Sequence, residues 1–411
     1  MSTSAPVIFE PRERTDPTPG RNGERAFHFL DRVDDSCFAR VRGLIDGWFV
    51  SYAIGDEVAR RDLRRRIQSG DDTNFYGAAW ELYVHETFRR LGFSLTIHPP
   101  TPTGKEIDFL AQRGDLAVYI EATTFPRDGL RGGGLPKGTS VVLSKIDQGY
   151  SPDFTIGVQI GAGGSAVPAT AAVTEPIETW LGSLDWASER AAMEAGDSSQ
   201  PSLALHVDGW EIGCSAYPRM AADSGDRSMR LISVYPSIGG FSSGREDLRR
   251  KLKHKAYRYG DLDAPYLIAV ETPGAFTDEE DVMQALYGPE VVEIDADALV
   301  AVETTRMPDG LWRQGSTTRA GRVSGVLVDL GAGPYSTAKR WPTLWANPWA
   351  DHSVADLDWP WPQRVADLAS DRVELREASS EPAEFFDLPA DWPGEPFAEI
   401  KRLRRERRAA A

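Results

Sequence analysis

The chain of 411 residues lacks the features of several protein classes. It contains only two cysteines, Cys37 and Cys214, which are too few for a disulfide framework or a multi-cysteine zinc site. No apolar run approaches the roughly 18 residues that a membrane-spanning helix requires, and the N-terminus lacks the apolar core of a signal peptide. We therefore expect a soluble, cytoplasmic protein with no membrane partner.

Several common catalytic signatures are also missing. None of the glycine-rich stretches matches a phosphate-binding loop or a dinucleotide-binding fingerprint. There is no Gly-x-Ser-x-Gly nucleophile elbow, and the six histidines show no metal-ligand spacing. The sequence thus excludes the enzyme classes that these motifs mark.

Charge is distributed unevenly along the chain. With 62 acidic and 46 basic residues the net charge is −16, which argues against a protein whose main task is to coat nucleic acid. Lysine is scarce, and three of the eight lysines, Lys251, Lys253 and Lys255, lie within 245–260. Seven basic side chains stand there against two acidic ones. The sequence therefore predicts a local basic strip on an acidic protein.

Composition and periodicity divide the chain into four segments. Residues 1–25 are rich in Pro, Arg, Thr and Gly and are predicted to be a flexible leader, and 26–70 are predicted to be an N-terminal helical segment. Helices alternate with strands over 71–345, which predicts an α/β core with a mixed sheet and a large insertion at about 130–244. Residues 346–411 are predicted to be an acidic wrapping tail, rich in Trp and Pro, with a basic C-terminus.

Hydrophobic periodicity predicts the individual elements. A helix begins at Asp71 and runs to about residue 91. Strands at 107–111 and 117–125 form a hairpin across a turn at Arg113-Gly114. Further predictions are strands at 140–143 and 265–271, and helices at 175–192 and 246–259.

Two carboxylates of the predicted hairpin form a candidate metal site. If Arg113-Gly114 is the turn, Asp108 pairs with Tyr119 and lies diagonally across from Glu121 on the same face. Carboxylates held this close repel each other unless a cation lies between them, and oxygen ligands favour Mg²⁺ or Mn²⁺ over Zn²⁺. Such an ion can polarise a phosphodiester and lower the pKa of a bound water. An exposed hairpin whose acids face solvent is the open alternative.

The sequence resembles the PD-(D/E)XK nuclease superfamily in three blocks, FYGAAWELYVHETFRRLGF (75–93), GKEIDFL (104–110) and VYIEAT (118–123). In that superfamily a helix glutamate, a hairpin aspartate and the acid of the next strand bind the metal. The resemblance implies these roles for Glu81, Asp108 and Glu121, with the backbone carbonyl of Ala122 as a further candidate ligand. It also implies a restriction-endonuclease-like fold, Mg²⁺ or Mn²⁺ as cofactor, a nucleic-acid substrate for which DNA is favoured over RNA with RNA left open, and a homodimer as one option.

One position departs from the superfamily pattern. A lysine two residues after the strand acid normally orients or activates the water, but Thr123 stands there. Threonine cannot bring positive charge to an attacking hydroxide. Either the site is inactive or another cation substitutes. Some superfamily members carry the lysine on the helix after the hairpin, where this chain offers Lys255, then Lys251; Lys145 is a third candidate.

The helix predicted at 246–259 is also a candidate nucleic-acid surface. Its candidate contact residues are Arg249, Arg250, Lys251, Lys253 and Tyr259. A solvated basic face is the open alternative. The leading hypothesis is a metal-dependent endonuclease that hydrolyses DNA. The alternatives are a catalytically inactive protein of the same fold that binds nucleic acid or protein, and an unrelated cytoplasmic enzyme.

Overall fold

The computed structural model describes residues 7–21, 24–125, 138–195, 199–220, 225, 230–234, 244–272, 277–294, 301–307, 309–314, 317–318, 320–331, 333–368 and 372–410. The chain divides into two units. The first comprises Met1–Arg12, Ser36–Arg127 and Ser242–Gly394, and the second comprises Glu13–Asp35, Asp128–Phe241 and Glu395–Ala411.

Helices and strands of the described residues alternate along most of the chain. The helices are α1 (Ala26–Arg32), α2 (Ser36–Ser51), α3 (Glu57–Ile67), α4 (Asp72–Arg90), α5 (Thr139–Ile146), α6 (Thr170–Gly182), α7 (Trp186–Glu194), α8 (Gly244–Ala256), α9 (Glu279–Tyr287), α10 (Pro382–Phe385) and α11 (Ala398–Ala410). The strands are β1 (Ser94–Ile97), β2 (Phe109–Arg113), β3 (Leu116–Thr124), β4 (Phe154–Ala162), β5 (Ser202–Val207), β6 (Trp210–Pro218), β7 (Ile232–Val234), β8 (Tyr266–Thr272), β9 (Glu290–Ile294), β10 (Ala301–Arg306), β11 (Arg313–Gln314), β12 (Thr317–Thr318), β13 (Gly325–Leu330), β14 (Thr343–Ala346), β15 (Gln363–Asp367) and β16 (Arg372–Arg376).

The first unit is built on a mixed eight-stranded sheet in the order β1-β2-β3-β8-β13-β14-β15-β16. Strands β1, β2 and β3 are antiparallel neighbours, whereas β8 runs parallel to β3 and β13 runs parallel to β8. Every residue of β8 is buried, as expected for a central strand that is covered on both faces. The prediction of a mixed α/β protein with a large mixed sheet flanked by helices is confirmed.

Helix α4 lies against this sheet and carries the predicted helix glutamate. Its first turn is capped by Asp71, whose side chain accepts a hydrogen bond from the Asn74 N–H at 2.8 Å. Gly92, with φ of +82°, follows its end. Most of its side chains are buried, and the indole N–H of Trp80 donates to the Ala269 carbonyl of β8 at 3.0 Å. These contacts fix the helix relative to the central strand.

Helix α8 connects into β8 and packs on the sheet through an apolar stripe. Leu248, Leu252 and Ala256, spaced four residues apart, are buried in one core cluster with Ile268 and Val270 of β8. Lys251 and Lys255, on the adjoining stripe of the helix, are half-buried, whereas Lys253 is exposed. The packing of α8 therefore determines which of its lysines lie close to the sheet.

The second unit has its own four-stranded sheet, in the order β5-β6-β4-β7. The strand predicted at 140–143 is wrong: these residues belong to α5, because Val142 and Ile146, one turn apart, are both buried in the core of this unit. A short apolar run does not separate a strand from a helix by periodicity alone. The single helix predicted at 175–192 is also wrong, since Asp185 caps a new helix, α7, by accepting from the Ser188 N–H at 3.0 Å.

Residues near both ends of the first unit belong to its core or to its sheet. Within the predicted leader, Ile8 and Phe9 are buried, and the Ile8 N–H donates to Asp46 Oδ1 at 2.5 Å; residues 1–6 and 22–23 lie outside the described residues. The predicted wrapping tail contributes β15 and β16 to the large sheet. Among the described residues, no helix combines the length and the hydropathy needed to cross a bilayer.

Candidate active site

The hairpin of β2 and β3 determines how its two acids meet. The predicted turn at Arg113-Gly114 is wrong, because Arg113 pairs with Leu116 and the turn consists of Gly114 and Asp115. Gly114 has φ of +58°, the left-handed conformation that the first central position of such a turn favours. The register is therefore shifted by two residues from the prediction. An even shift keeps every side chain on its predicted face.

The corrected register brings the acids closer than predicted. Phe109 pairs with Ile120, so that Asp108, the residue directly before β2, stands opposite Glu121 rather than diagonal to it. Asp108 Oδ2 accepts a hydrogen bond from the Ala122 N–H at 2.7 Å. Burial raises the pKa of the Asp108 carboxyl well above its usual range, and the negative charges of Glu121 and Glu81 raise it further. Both neighbouring acids thus act on Asp108.

Glu121 is held by two donors from the end of α8. Lys255 Nζ donates to Glu121 Oε1, and the Tyr259 hydroxyl donates to Oε2. The carboxylate is only 3% exposed, so both contacts lie in a region with little competing water. Burial and the charge of Glu121 raise the pKa of Tyr259, which keeps the phenol protonated and able to donate.

Glu81 is held in the same manner by two residues that the sequence analysis did not identify. The Tyr52 hydroxyl donates to Glu81 Oε1 at 2.5 Å, and the Arg66 guanidinium donates to Oε2 at 2.6 Å. Tyr52 directly follows α2, and Arg66 lies in the last turn of α3. No motif links these two residues to α4. The one signal in the sequence was the apolar spacing of α2, which continues to Tyr52; these positions are buried in the structure.

The three acids line one open cleft with a volume of about 340 Å³. The N-terminal turn of α4 forms part of its wall with Thr73 and Asn74, and the end of β3 contributes Thr123 and Thr124. Lys255 also lines the cleft. Lys255 of α8 therefore brings into the cleft the lysine charge that the neutral Thr123 does not provide.

The other lysine candidates do not contact the acids. Lys251 Nζ lies 5.2 Å from the centre of the Phe125 ring, and burial together with the nearby Lys255 charge lowers its pKa to about 8. Lys145 belongs to the second unit, where its Nζ donates to the Pro168 carbonyl at 2.5 Å.

The predicted nucleic-acid strip is less uniform than its sequence indicates. Arg249 pairs with Glu246 and with Asp309, and Arg250 pairs with Asp247. Lys253 is exposed. Tyr259, predicted as a nucleic-acid contact, is only 2% exposed, and its hydroxyl donates to Glu121.

A divalent cation fits the chemistry of this donor set. The carboxylates of Asp108 and Glu121 are hard oxygen donors, and a cation would offset the repulsion that raises the Asp108 pKa. Among the described residues Asp108 has a single hydrogen bond, that from Ala122. As the side chains stand, no group of three or more His, Cys, Asp or Glu in the described part of the chain is gathered closely enough to ligate a metal. Two carboxylates would therefore form the core of the site.

No family model matches the chain, and the searches of curated proteins and of solved structures return no match.

Proposed function

We propose that the chain is a Mg²⁺- or Mn²⁺-dependent phosphodiester hydrolase that cleaves DNA by chemistry of the PD-(D/E)XK type. The observation that carries the proposal is the contact between Lys255 and Glu121, beside Asp108 in one open cleft. The two residues are 134 positions apart, so that only folding brings them together. A lysine from α8 supplies the charge that Thr123 lacks.

The roles follow from the contacts. Asp108 and Glu121 would hold the ion, and Glu81 would reach it directly or through a water molecule. A bound divalent ion supplies Lewis acidity toward the phosphodiester and lowers the pKa of water. Lys255 places its positive charge where an attacking oxygen gains negative charge.

The fold supports a restriction-endonuclease-like core. Helix α4 precedes three antiparallel strands, and α8 packs beside the acids before β8 continues the sheet parallel to β3. A homodimer and a cytoplasmic location belong to the same proposal.

A second candidate function is nucleic-acid or protein binding without catalysis. The observation that favours it is that both oxygens of Glu121 and both oxygens of Glu81 already have donors within the protein. Donors of this kind can stabilise buried carboxylates in the absence of metal. Metal-dependent turnover separates this candidate from the first.

The test is a cleavage assay on the purified chain with linear DNA, circular DNA and RNA, in Mn²⁺ and in chelator. The variants are Asp108→Ala and Glu121→Ala, with Glu271→Gln, an acid of the neighbouring strand β8, as the matched control. We expect cleavage of DNA in Mn²⁺ that both alanine variants lose and the control retains. Binding without cleavage in every condition would favour the second candidate.

A further inference from the structure

The charges in the cleft do not cancel evenly. Lys255 pairs with Glu121, and Arg66 pairs with Glu81. Asp108 and Arg258 remain, and both line the same cleft. Glu106 also lines it, but this side chain is exposed, so that solvent screens its charge. The cleft therefore has an acidic corner at Asp108 and a basic corner at Arg258.

Arg258 is held in place without a counter-ion. Its guanidinium lies 5.4 Å from the centre of the Tyr259 ring, and its backbone carbonyl accepts a hydrogen bond from Thr103 Oγ1 at 3.1 Å. Among the described residues it makes no ion pair, and its buried Nε has no hydrogen-bond partner. A half-buried guanidinium in this state gains from an anion that reaches it, because its buried Nε–H is already desolvated.

We propose that Arg258 binds a phosphate group of a nucleic-acid strand that occupies the cleft. A guanidinium matches two phosphate oxygens with two parallel N–H donors, which a single lysine cannot do. The acidic corner would then take the cation and the basic corner the adjoining phosphate. The claim that the phosphate belongs to a nucleic acid rests on the proposed function. The claim that the cleft binds an anion rests only on the surroundings of Arg258.

The lining of the cleft also indicates which part of the strand is recognised. Within the described residues the one aromatic side chain of the cleft is Tyr259, whose hydroxyl is engaged by Glu121 and whose ring is covered by Arg258. Bases therefore have no free ring to stack on. Contacts to phosphate carry no sequence information. We accordingly expect binding that depends on the backbone and not on base sequence.

The experiment is fluorescence anisotropy of a labelled single-stranded DNA oligonucleotide in chelator, so that no cleavage occurs. The variants are Arg258→Gln and Arg258→Lys, with Arg61→Gln as the matched control, since Arg61 is an exposed arginine of α3 that does not line the cleft. Loss of a charge-assisted hydrogen bond predicts that Arg258→Gln weakens binding about tenfold or more. It should also reduce the slope of log affinity against log salt by about one.

Arg258→Lys keeps the charge, and we expect it to keep the salt slope while losing part of the affinity. This variant decides the matter if circular dichroism shows that Arg258→Gln does not fold. Parent-like affinity and salt slope in both Arg258 variants would overturn the proposal. Stronger competition by inorganic phosphate than by unlabelled oligonucleotide would assign the corner to free phosphate and overturn the strand assignment.

Oligonucleotides of different sequence test the backbone claim, which a strong preference for one of them would contradict. If no condition gives cleavage but Arg258→Gln still weakens binding, the hydrolase proposal fails and the phosphate contact stands. If cleavage is observed and Arg258→Gln binds like the parent, the hydrolase proposal stands and the phosphate contact fails.

Discussion

Two pairs of acids lie on neighbouring strands of the same sheet, and their surroundings differ sharply. Asp108 and Glu121 meet at the β2–β3 hairpin and line a cleft of about 340 Å³. Glu271 of β8 and Asp329 of β13 are direct register partners, each only 1% exposed. They line a cavity of about 10 Å³, space for about one water molecule.

The interior pair is engaged by the fold. Glu271 accepts a hydrogen bond from the Thr124 hydroxyl, and Asp329 Oδ2 accepts one from the Gly333 N–H at 3.3 Å. Aromatic rings of α2 and α4, among them Trp48, Trp80 and Tyr83, also line that cavity. Closeness of two carboxylates therefore does not identify a reactive site. Under the proposed function the distinguishing features are access from solvent and the Lys255 cation beside the acids.

Removal of the Lys255 charge should have the largest effect on cleavage. Lys255→Ala leaves Glu121 without its positive partner, and we expect cleavage to fall by about 10²-fold or more while metal binding persists. Lys339→Ala, which changes an exposed lysine that does not line the cleft, is the control and should cleave like the parent. Steady-state cleavage rates in Mn²⁺ measure both variants. Full activity of Lys255→Ala would remove this residue from the site.

His85 tests a titratable side chain of α4 that is buried and lines neither the cleft nor the interior cavity. This residue of α4 packs its ring against those of Tyr52 and Phe109, at 5.1 Å and 6.0 Å between centres. Burial lowers its pKa from 6.5 to about 4, so that the unfolded chain binds more protons between these values. The parent should lose about 3 kcal/mol of stability through this group as the pH falls from 6.5 to 4.

In His85→Leu this contribution disappears, since leucine does not titrate. Urea unfolding at pH 7 and pH 4 measures the difference between the two proteins, in which the other groups cancel. Equal losses of stability in parent and variant would show that His85 is not a buried neutral group.

Arg66 tests whether the buried acid of the cleft depends on its partner. Arg66→Gln leaves the Glu81 carboxylate, 5% exposed, with Tyr52 as its remaining donor, and we expect a loss of about 2 kcal/mol in the free energy of unfolding. Arg65→Gln breaks an exposed pair with Asp62 and should cost less than about 0.5 kcal/mol. Urea titrations compare the two, and equal effects would contradict the distinction.

The smallest effect is expected at the interior acid. Glu271→Gln keeps an oxygen that can accept from Thr124, and the residue has no access to substrate. We expect a cleavage rate within about twofold of the parent, because Glu271 does not line the cleft in which the proposed reaction develops charge. A large loss in a folded Glu271→Gln protein would place the interior pair in the chemistry.

Local pattern in the sequence was enough to predict α4, the hairpin strands and the face on which Asp108 and Glu121 lie. The alternation of side chains determines the face, and an error of two residues in register leaves it unchanged. The turn itself was missed because either Arg113 or Asp115 can accompany Gly114 in a two-residue turn.

Residues that reach the site from separate helices were harder to predict. Lys255 was predicted because the apolar stripe of α8 determines which side of that helix adjoins the sheet. Tyr52 and Arg66 were not, since their approach to Glu81 depends on the packing of α2 and α3 against α4, which no spacing encodes. The contact of Tyr259 with Glu121 was not predicted either, because this residue lies beyond Ala256, the last residue of α8.

The most direct test of the account is calorimetric titration of Mn²⁺ into the parent, Asp108→Asn and Glu271→Gln proteins. If the open cleft holds the ion, the parent and Glu271→Gln bind Mn²⁺ alike, and Asp108→Asn loses the binding. Parent-like binding by Asp108→Asn, or its loss in Glu271→Gln, would contradict the assignment of the metal to the cleft.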